Sequence, residues 1–157
     1  DRFMMKINVN YPSKEEELKI MQRMTNLNFN SNVKTILSKR DISSTQNEIN
    51  KISVSKSIEN YIIEIVFATR KPSLVKLDEL SNYISFGASP RASINLSLAA
   101  KANAFFNNRD YVIPDDIKEI AYDVLNHRII LNYEAEAEGI TSQEIIKKIL
   151  DRVEINS

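Results

Sequence analysis

The chain has 157 residues, 43% of them hydrophobic, with 21 Lys and Arg against 21 Asp and Glu and a formal net charge of +0. That is enough chain for one packed domain, or a small domain plus the edge of another, and it leaves no basic excess to hold a nucleic-acid backbone. The absence of Cys and the single His exclude disulfides, thiolate chemistry and a multi-histidine metal site, and the lack of Cys fits a cytoplasmic location. No apolar run approaches the roughly 20 residues needed to cross a bilayer, and no signal-peptide layout opens the chain, so a soluble protein is expected. Asp1-Arg2-Phe3 carries no initiator Met and leads straight into an alternating pattern, which reads as an internal start within a longer protein.

Phe3, Met5, Ile7 and Val9 alternate with a period of two, predicting a half-buried strand whose sheet would lie upstream. Tyr11-Pro12-Ser13 then leads into a short helix from Lys14 to Arg23, with Ser13 and Glu16 at capping-box spacing and Leu18, Met21 and Met24 on one face. Asn26 to Lys39 is rich in Asn and Ser without a clean period and reads as a connector. Ser44 opens a second helix through Lys51. Ser55 caps a third running to about Arg70, with Ile58, Tyr61, Ile62, Ile65 and Val66 as a core-facing stripe. Lys71 to Gly87 reads as a packed loop.

Ser89-Pro90 starts a fourth helix, Ser as N-cap and Pro at the first position, extending to about Phe106. Ala92, Ala99, Ala100, Ala102 and Ala104 permit close approach of neighbours, with bulk from Leu98 and Phe105. A fifth helix begins at Pro114, where Asp115 and Asp116 suit the helix dipole, and ends near Asn126. Ile129 to Leu131 is a candidate short strand. Thr141 and Glu144 form a capping box before Ile145, Ile146, Ile149 and Leu150.

Arg91 is the sharpest anomaly for chemistry. It occupies the second position of the fourth helix, where the dipole opposes a cation by roughly 0.3 to 1 kcal/mol at an exposed site. An anion nearby reverses that penalty, and backbone N–H groups at a helix start together with a guanidinium fork suit phosphate oxygens. A solvated or carboxylate-paired Arg is the plain alternative. Arg2 at the start of the expected strand is by itself an ordinary surface arginine. His127 and Arg128 follow the fifth helix, where a cation caps the C-terminus favourably, and one imidazole makes no transition-metal site. Glu134, Glu136 and Glu138 lack the pattern of a calcium loop and read as a solvated face. The chain has no G-x-x-x-x-G-K-[ST] stretch, and Gly87 and Gly139 alone cannot build a phosphate-cradling loop.

Several segments, in order, resemble the MoxR branch of the AAA+ ATPases. Asp1-Arg2-Phe3 is similar to the end of the family's L-D-R-F, and Tyr11-Pro12-Ser13 with Glu15-Glu16-Glu17-Leu18 to its Y-P-S-x-E-E-E-L. Tyr61-Ile62 through Ala68-Thr69-Arg70 resembles Y-I-x-x-L-V-x-A-T-R, and Gly87-Ala88-Ser89-Pro90-Arg91-Ala92 resembles the G-A-S-P-R-A signature. Arg109-Asp110-Tyr111-Val112 with Pro114 and Asp116 is similar to G-R-D-Y-V-x-P-x-D, and Val124-Leu125-Asn126-His127-Arg128 to V-L-x-H-R. Asn108 departs from the family's Gly at a site that suits a left-handed backbone, which Asn tolerates. The Asn-rich stretch from Asn26 to Asn32 also departs from the pattern.

The resemblance implies a mainly α fold, a helical AAA+ lid bundle over 41–157, preceded by the last strand and helix of an α/β core over 1–26 and a connector over 27–40. It implies that Arg91 is the sensor 2 arginine reading nucleotide phosphate, with Ser89 and Ala92 as accompanying cofactor-binding positions, and that Arg2 is an arginine finger acting in trans. The implied parent binds ATP and Mg²⁺, hydrolyses ATP in a ring that is expected to be a hexamer, and remodels partner proteins, among them von Willebrand factor A-domain proteins. This chain, without Walker A and B, is expected to bind no nucleotide and to be inactive by itself. A second reading is a non-catalytic adaptor presenting the helix from Ser55 to Arg70. A helix-turn-helix reading fails because Asp115, Asp116, Glu119 and Asp123 face only Lys118 on the fifth helix.

Overall fold

The computed structural model describes residues 2–26 and 34–155. In chain order these form helices α1 (Lys14–Met24), α2 (Lys39–Lys51) and α3 (Lys56–Ala68), strand β1 (Ile84–Phe86), helices α4 (Pro90–Phe106) and α5 (Pro114–Leu125), strand β2 (Ile130–Leu131), and helices α6 (Tyr133–Ala137) and α7 (Ser142–Arg152). Two short 3₁₀ turns, Pro72–Val75 and Asp78–Asn82, lie between α3 and β1.

Local sequence accounts for most helix starts. Ser13, Ser38, Ser55, Ser89, Asn132 and Thr141 each cap a helix by accepting a backbone N–H within the next three residues. Pro90 and Pro114 occupy first-turn positions, where no intrahelical N–H is needed. The core is then built by four helices. Ile58, Tyr61, Ile62, Ile65 and Val66 of α3 meet Ala92, Leu96, Ala99, Ala100 and Ala104 of α4, and α5 and α7 close the bundle with Ile117, Val124, Leu125, Ile145, Ile146 and Ile149. The alanine face of α4 brings its backbone close to α3 and α5, and burying each large aliphatic side chain contributes about 1.5–3 kcal/mol.

Several expectations are corrected. Residues 3–9 carry no strand, and Phe3, Ile7 and Val9 are exposed. A strand needs a neighbouring edge, whereas the Lys6 N–H donates to the Asp123 carbonyl at the end of α5, 2.9 Å away. Helix α1 has its expected capping box, yet Leu18, Met21 and Met24 are exposed and neither α1 nor α2 has a buried residue. Helix α2 begins at Lys39 rather than after Ser44, because Ser38 and Asp41 form a reciprocal capping box that outcompetes the later serine. Leu96, not Leu98, supplies the bulk on the buried face of α4, being four residues beyond Ala92 and four before Ala100. The connector expected over 27–40 falls partly outside the described residues.

The segment from Lys71 to Gly87 is more ordered than a loop. Lys76 adopts a left-handed backbone that ends the first 3₁₀ turn, and β1 pairs antiparallel with β2, Ile84 opposite Leu131 and Phe86 opposite Ile130. The acidic run holds helix α6, and Gly139, with φ of 72°, turns the chain after it. Among the described residues no helix is long and apolar enough to cross a membrane.

Candidate functional site

The turn carrying Ser89 and Arg91 is fixed by the end of α3. Thr69 is fully buried; its hydroxyl donates to the Val66 carbonyl at 2.7 Å and accepts the Ala88 N–H at 2.9 Å. Arg70 Nε donates to the Ala88 carbonyl, and its guanidinium lies 5.0 Å from the Phe67 ring centroid. Gly87 is required by contact: a Cβ there would sit 2.3 Å from the Thr69 carbonyl oxygen. The A-T-R and G-A-S-P-R segments, far apart in sequence, are therefore two halves of one joint.

Beyond this joint Ser89 caps α4, its hydroxyl accepting the Arg91 N–H at 3.3 Å and its carbonyl the Ala92 N–H at 2.8 Å. With Pro90 lacking a donor, the first three N–H positions of α4 are engaged or absent. The expectation of free backbone donors at these positions is corrected accordingly, and the Arg91 side chain is the exposed donor of this turn. Arg91 is exposed, and no acidic residue lies in the first turn of α4. Ala92 is fully buried, so its methyl belongs to the core.

A second cation lies within electrostatic reach of Arg91. Arg128, only 4% exposed, donates from its guanidinium to the carbonyls of Val124, Met4 and Phe3, the Met4 contact at 3.1 Å. Burial, and then the charge of Arg91, hold its pKa below the ordinary arginine value. His127 Nε2 also contacts the Phe3 carbonyl, at 3.2 Å, while its buried Nδ1 has no hydrogen-bond partner. Burial lowers the His127 pKa, the Phe3 carbonyl opposes this in part, and Arg128 lowers it further. The expected capping role of Arg128 holds through Val124, but the residue also grips the chain next to Arg2, a long-range contact with no local sequence signal. Arg2 itself is exposed.

The loop between α4 and α5 is locked separately. Arg109 forms a two-pronged ion pair with Asp116, Nη1 to Oδ2 at 2.7 Å, and Asp116 also accepts the Ile113 N–H at 2.8 Å and Asn103 Nδ2 at 3.2 Å. Burial pushes the Asp116 carboxyl up, but Arg109, the Ile113 N–H and Asn103 outweigh it and leave its pKa below the usual aspartate value. Asn108 has φ of 54°, the left-handed backbone expected where the family pattern has Gly. Ser53 joins this loop to the segment after α2, bonding the Asp110 carbonyl and the Val112 N–H.

Glu138 accepts from the Tyr83 hydroxyl at 2.9 Å, which ties the acidic run to the segment before β1. Among the described residues, the exposed Arg91 on a braced helix start thus lies within electrostatic reach of a buried arginine that grips the distant Phe3–Met4 strap.

Residues 79–149 match the model of the AAA lid domain family. The chain is 41% identical to the chaperone MoxR1 of Mycobacterium tuberculosis over 98% of its own length and 40% of that protein. It is 37% identical to the uncharacterized protein YeaC of Bacillus subtilis, over 99% of the chain and 46% of the relative. The crystal structure of a Cytophaga hutchinsonii protein described as a candidate ATPase superposes with a TM-score of 0.92 at 60% identity, covering 99% of the chain and 47% of that structure. The helical bundle is thus an AAA+ lid domain. Within that class the chain belongs to the MoxR branch of the AAA+ ATPases and corresponds to a lid-bearing part. It spans less than half the length of these three proteins.

Proposed function

We propose that the parent protein binds and hydrolyses ATP with Mg²⁺ in a ring of subunits, a hexamer in our reading, and converts lid movement into remodelling of partner proteins. Residues 1–26 would then end the nucleotide-binding core, 27–40 connect it, and 41–157 form the lid. Arg91 contacts the γ-phosphate from the lid as the sensor 2 residue, with Ser89 setting its backbone by the cap and Ala92 seating the turn in the core. Arg2 reaches the nucleotide of the neighbouring subunit as the finger.

The observation that carries this reading is Arg91: exposed, at the positive end of a helix, on a turn braced by Thr69, Arg70 and Gly87. Such a fork fits phosphate oxygens, and a rigid mounting lets it sense position. Bound ATP–Mg²⁺ would supply the transferable phosphoryl group; the chain's own part is to orient and neutralise charge with guanidinium groups. Phosphate cradling and metal ligation belong to upstream residues, since this chain has no glycine-rich phosphate loop. The relative from Mycobacterium tuberculosis is named a chaperone, which supports a remodelling role. A von Willebrand factor A-domain protein is our proposed partner type, and the cytoplasm our proposed location.

On the adaptor reading the helix from Ser55 to Arg70 would present its outer face with Ile63 and Phe67, since Ile58, Tyr61, Ile62, Ile65 and Val66 are spent on the core. The test is ATP turnover by the full-length parent with and without Arg91→Ala. A large loss of turnover supports the assignment, and unchanged turnover overturns it.

A further inference from the structure

We propose that Arg128, with His127 beside it, is a positioning clamp that fixes the backbone of Phe3 and Met4, and with it the neighbouring Arg2, onto the end of α5. The proposal rests on the reading above, in which Arg2 and Arg91 act on nucleotide.

The geometry is specific. A buried guanidinium meets three backbone carbonyls, one from its own helix, Val124, and two from the strap, Phe3 and Met4, more than 120 residues away in sequence. A charged group taken out of water is retained only where its donors are satisfied, and the planar fork of arginine reaches several acceptors at once. His127 adds a contact to the same Phe3 carbonyl, and the Lys6 N–H closes the strap on Asp123 of α5. Four successive strap residues thus include three backbone groups held by the end of α5. α5 packs closely against α4, whose first turn carries Arg91, so the two candidate nucleotide-contacting arginines are mounted on one body. The clamp would thus join the last residues of the core to the lid, so that lid closure sensed at Arg91 is transmitted through α5 and the Phe3–Lys6 strap to Arg2.

Arg128 in this account is a positioning residue, distinguishable from a merely structural one by its kinetics. In the full-length parent, Arg128→Ala should raise amide exchange at Lys6 by about tenfold or more, with the amides of α3 and α7 still protected. The kcat for ATP should fall by roughly 10- to 100-fold, because a displaced finger loses transition-state alignment, while KM stays within about twofold because Arg91 still binds. Arg128→Lys should recover only part of kcat, as an ammonium cannot span the three carbonyls. His127→Ala, a milder change, should give the same pattern at smaller amplitude and serves if Arg128→Ala does not fold. Unchanged exchange at Lys6 in these variants overturns the clamp, and a released strap with unchanged kcat overturns its positioning role. A wild-type parent without turnover overturns the ATPase reading instead, and the clamp then stands or falls on Lys6 exchange alone.

Discussion

The Thr69 hydroxyl accepts the Ala88 N–H at 2.9 Å while donating to Val66, and in doing so welds the end of α3 to the turn that launches α4. Both groups are buried, so the joint has no water to fall back on. Thr69→Val leaves the Ala88 N–H unsatisfied and should destabilise the protein by about 1–3 kcal/mol. Thr69→Ser, which keeps the oxygen, should recover most of that loss. Denaturant midpoints of the two variants check this.

Gly87→Ala should destabilise by roughly 1–3 kcal/mol, because the added Cβ meets backbone rather than a flexible side chain. The damage should concentrate at the α3–α4 joint. Amide exchange at Ala88 rising well beyond that in α7 would be the signature; uniform loosening of the whole bundle would argue against a local joint.

The Arg109–Asp116 pair gives a pH-dependent prediction. The folded pKa of Asp116 lies below its unfolded value, near 4, so its contribution is present above that value and is lost as pH falls through the folded pKa. Asp116→Ala should destabilise the protein at neutral pH, because it leaves the Ile113 N–H and Asn103 without their acceptor and Arg109 without its partner. The variant should also lose less further stability on acidification than the wild type does. Urea melts at pH 7 and at about pH 3 measure both effects; parallel acid slopes would remove Asp116 from the account.

Asn108 sits at φ of 54°, where a β-branched side chain is strained. Asn108→Val should cost about 1–2 kcal/mol, and Asn108→Gly should be neutral or slightly stabilising. Thermal melts of the two variants suffice.

How much of this was legible in the sequence depends on the range of the interaction. Ser55, Ser89, Pro90, Pro114 and the Thr141–Glu144 box act within one turn, and the helices they start lie where local chemistry puts them. The left-handed backbone at Asn108 was legible only through the resemblance, which has Gly at that place. The expected strand at 3–9 failed because alternation records only a side-chain period, while strand formation needs a partner edge. Strand β1 was hidden because its pairing residues lie near position 130. At the site, Arg91 stood out by opposing the dipole of its own helix. Arg128 did not, because its grip on Phe3 and Met4 crosses the whole chain, and a cation after a helix is already explained by capping. The Thr69–Ala88 joint was equally silent: the A-T-R and G-A-S-P-R segments were both noted, but only folding brings them together.

The most direct measurement mixes two variants of the full-length parent, Arg91→Ala and Arg2→Ala, after establishing that each alone has lost most of its ATP turnover. If Arg91 serves its own subunit's nucleotide and Arg2 the neighbour's, random mixing in a head-to-tail ring rebuilds roughly one intact site in four. Turnover in the mixture should therefore rise toward about a quarter of the wild-type rate. A mixture as inactive as its components, under conditions where subunits are seen to exchange, would contradict it.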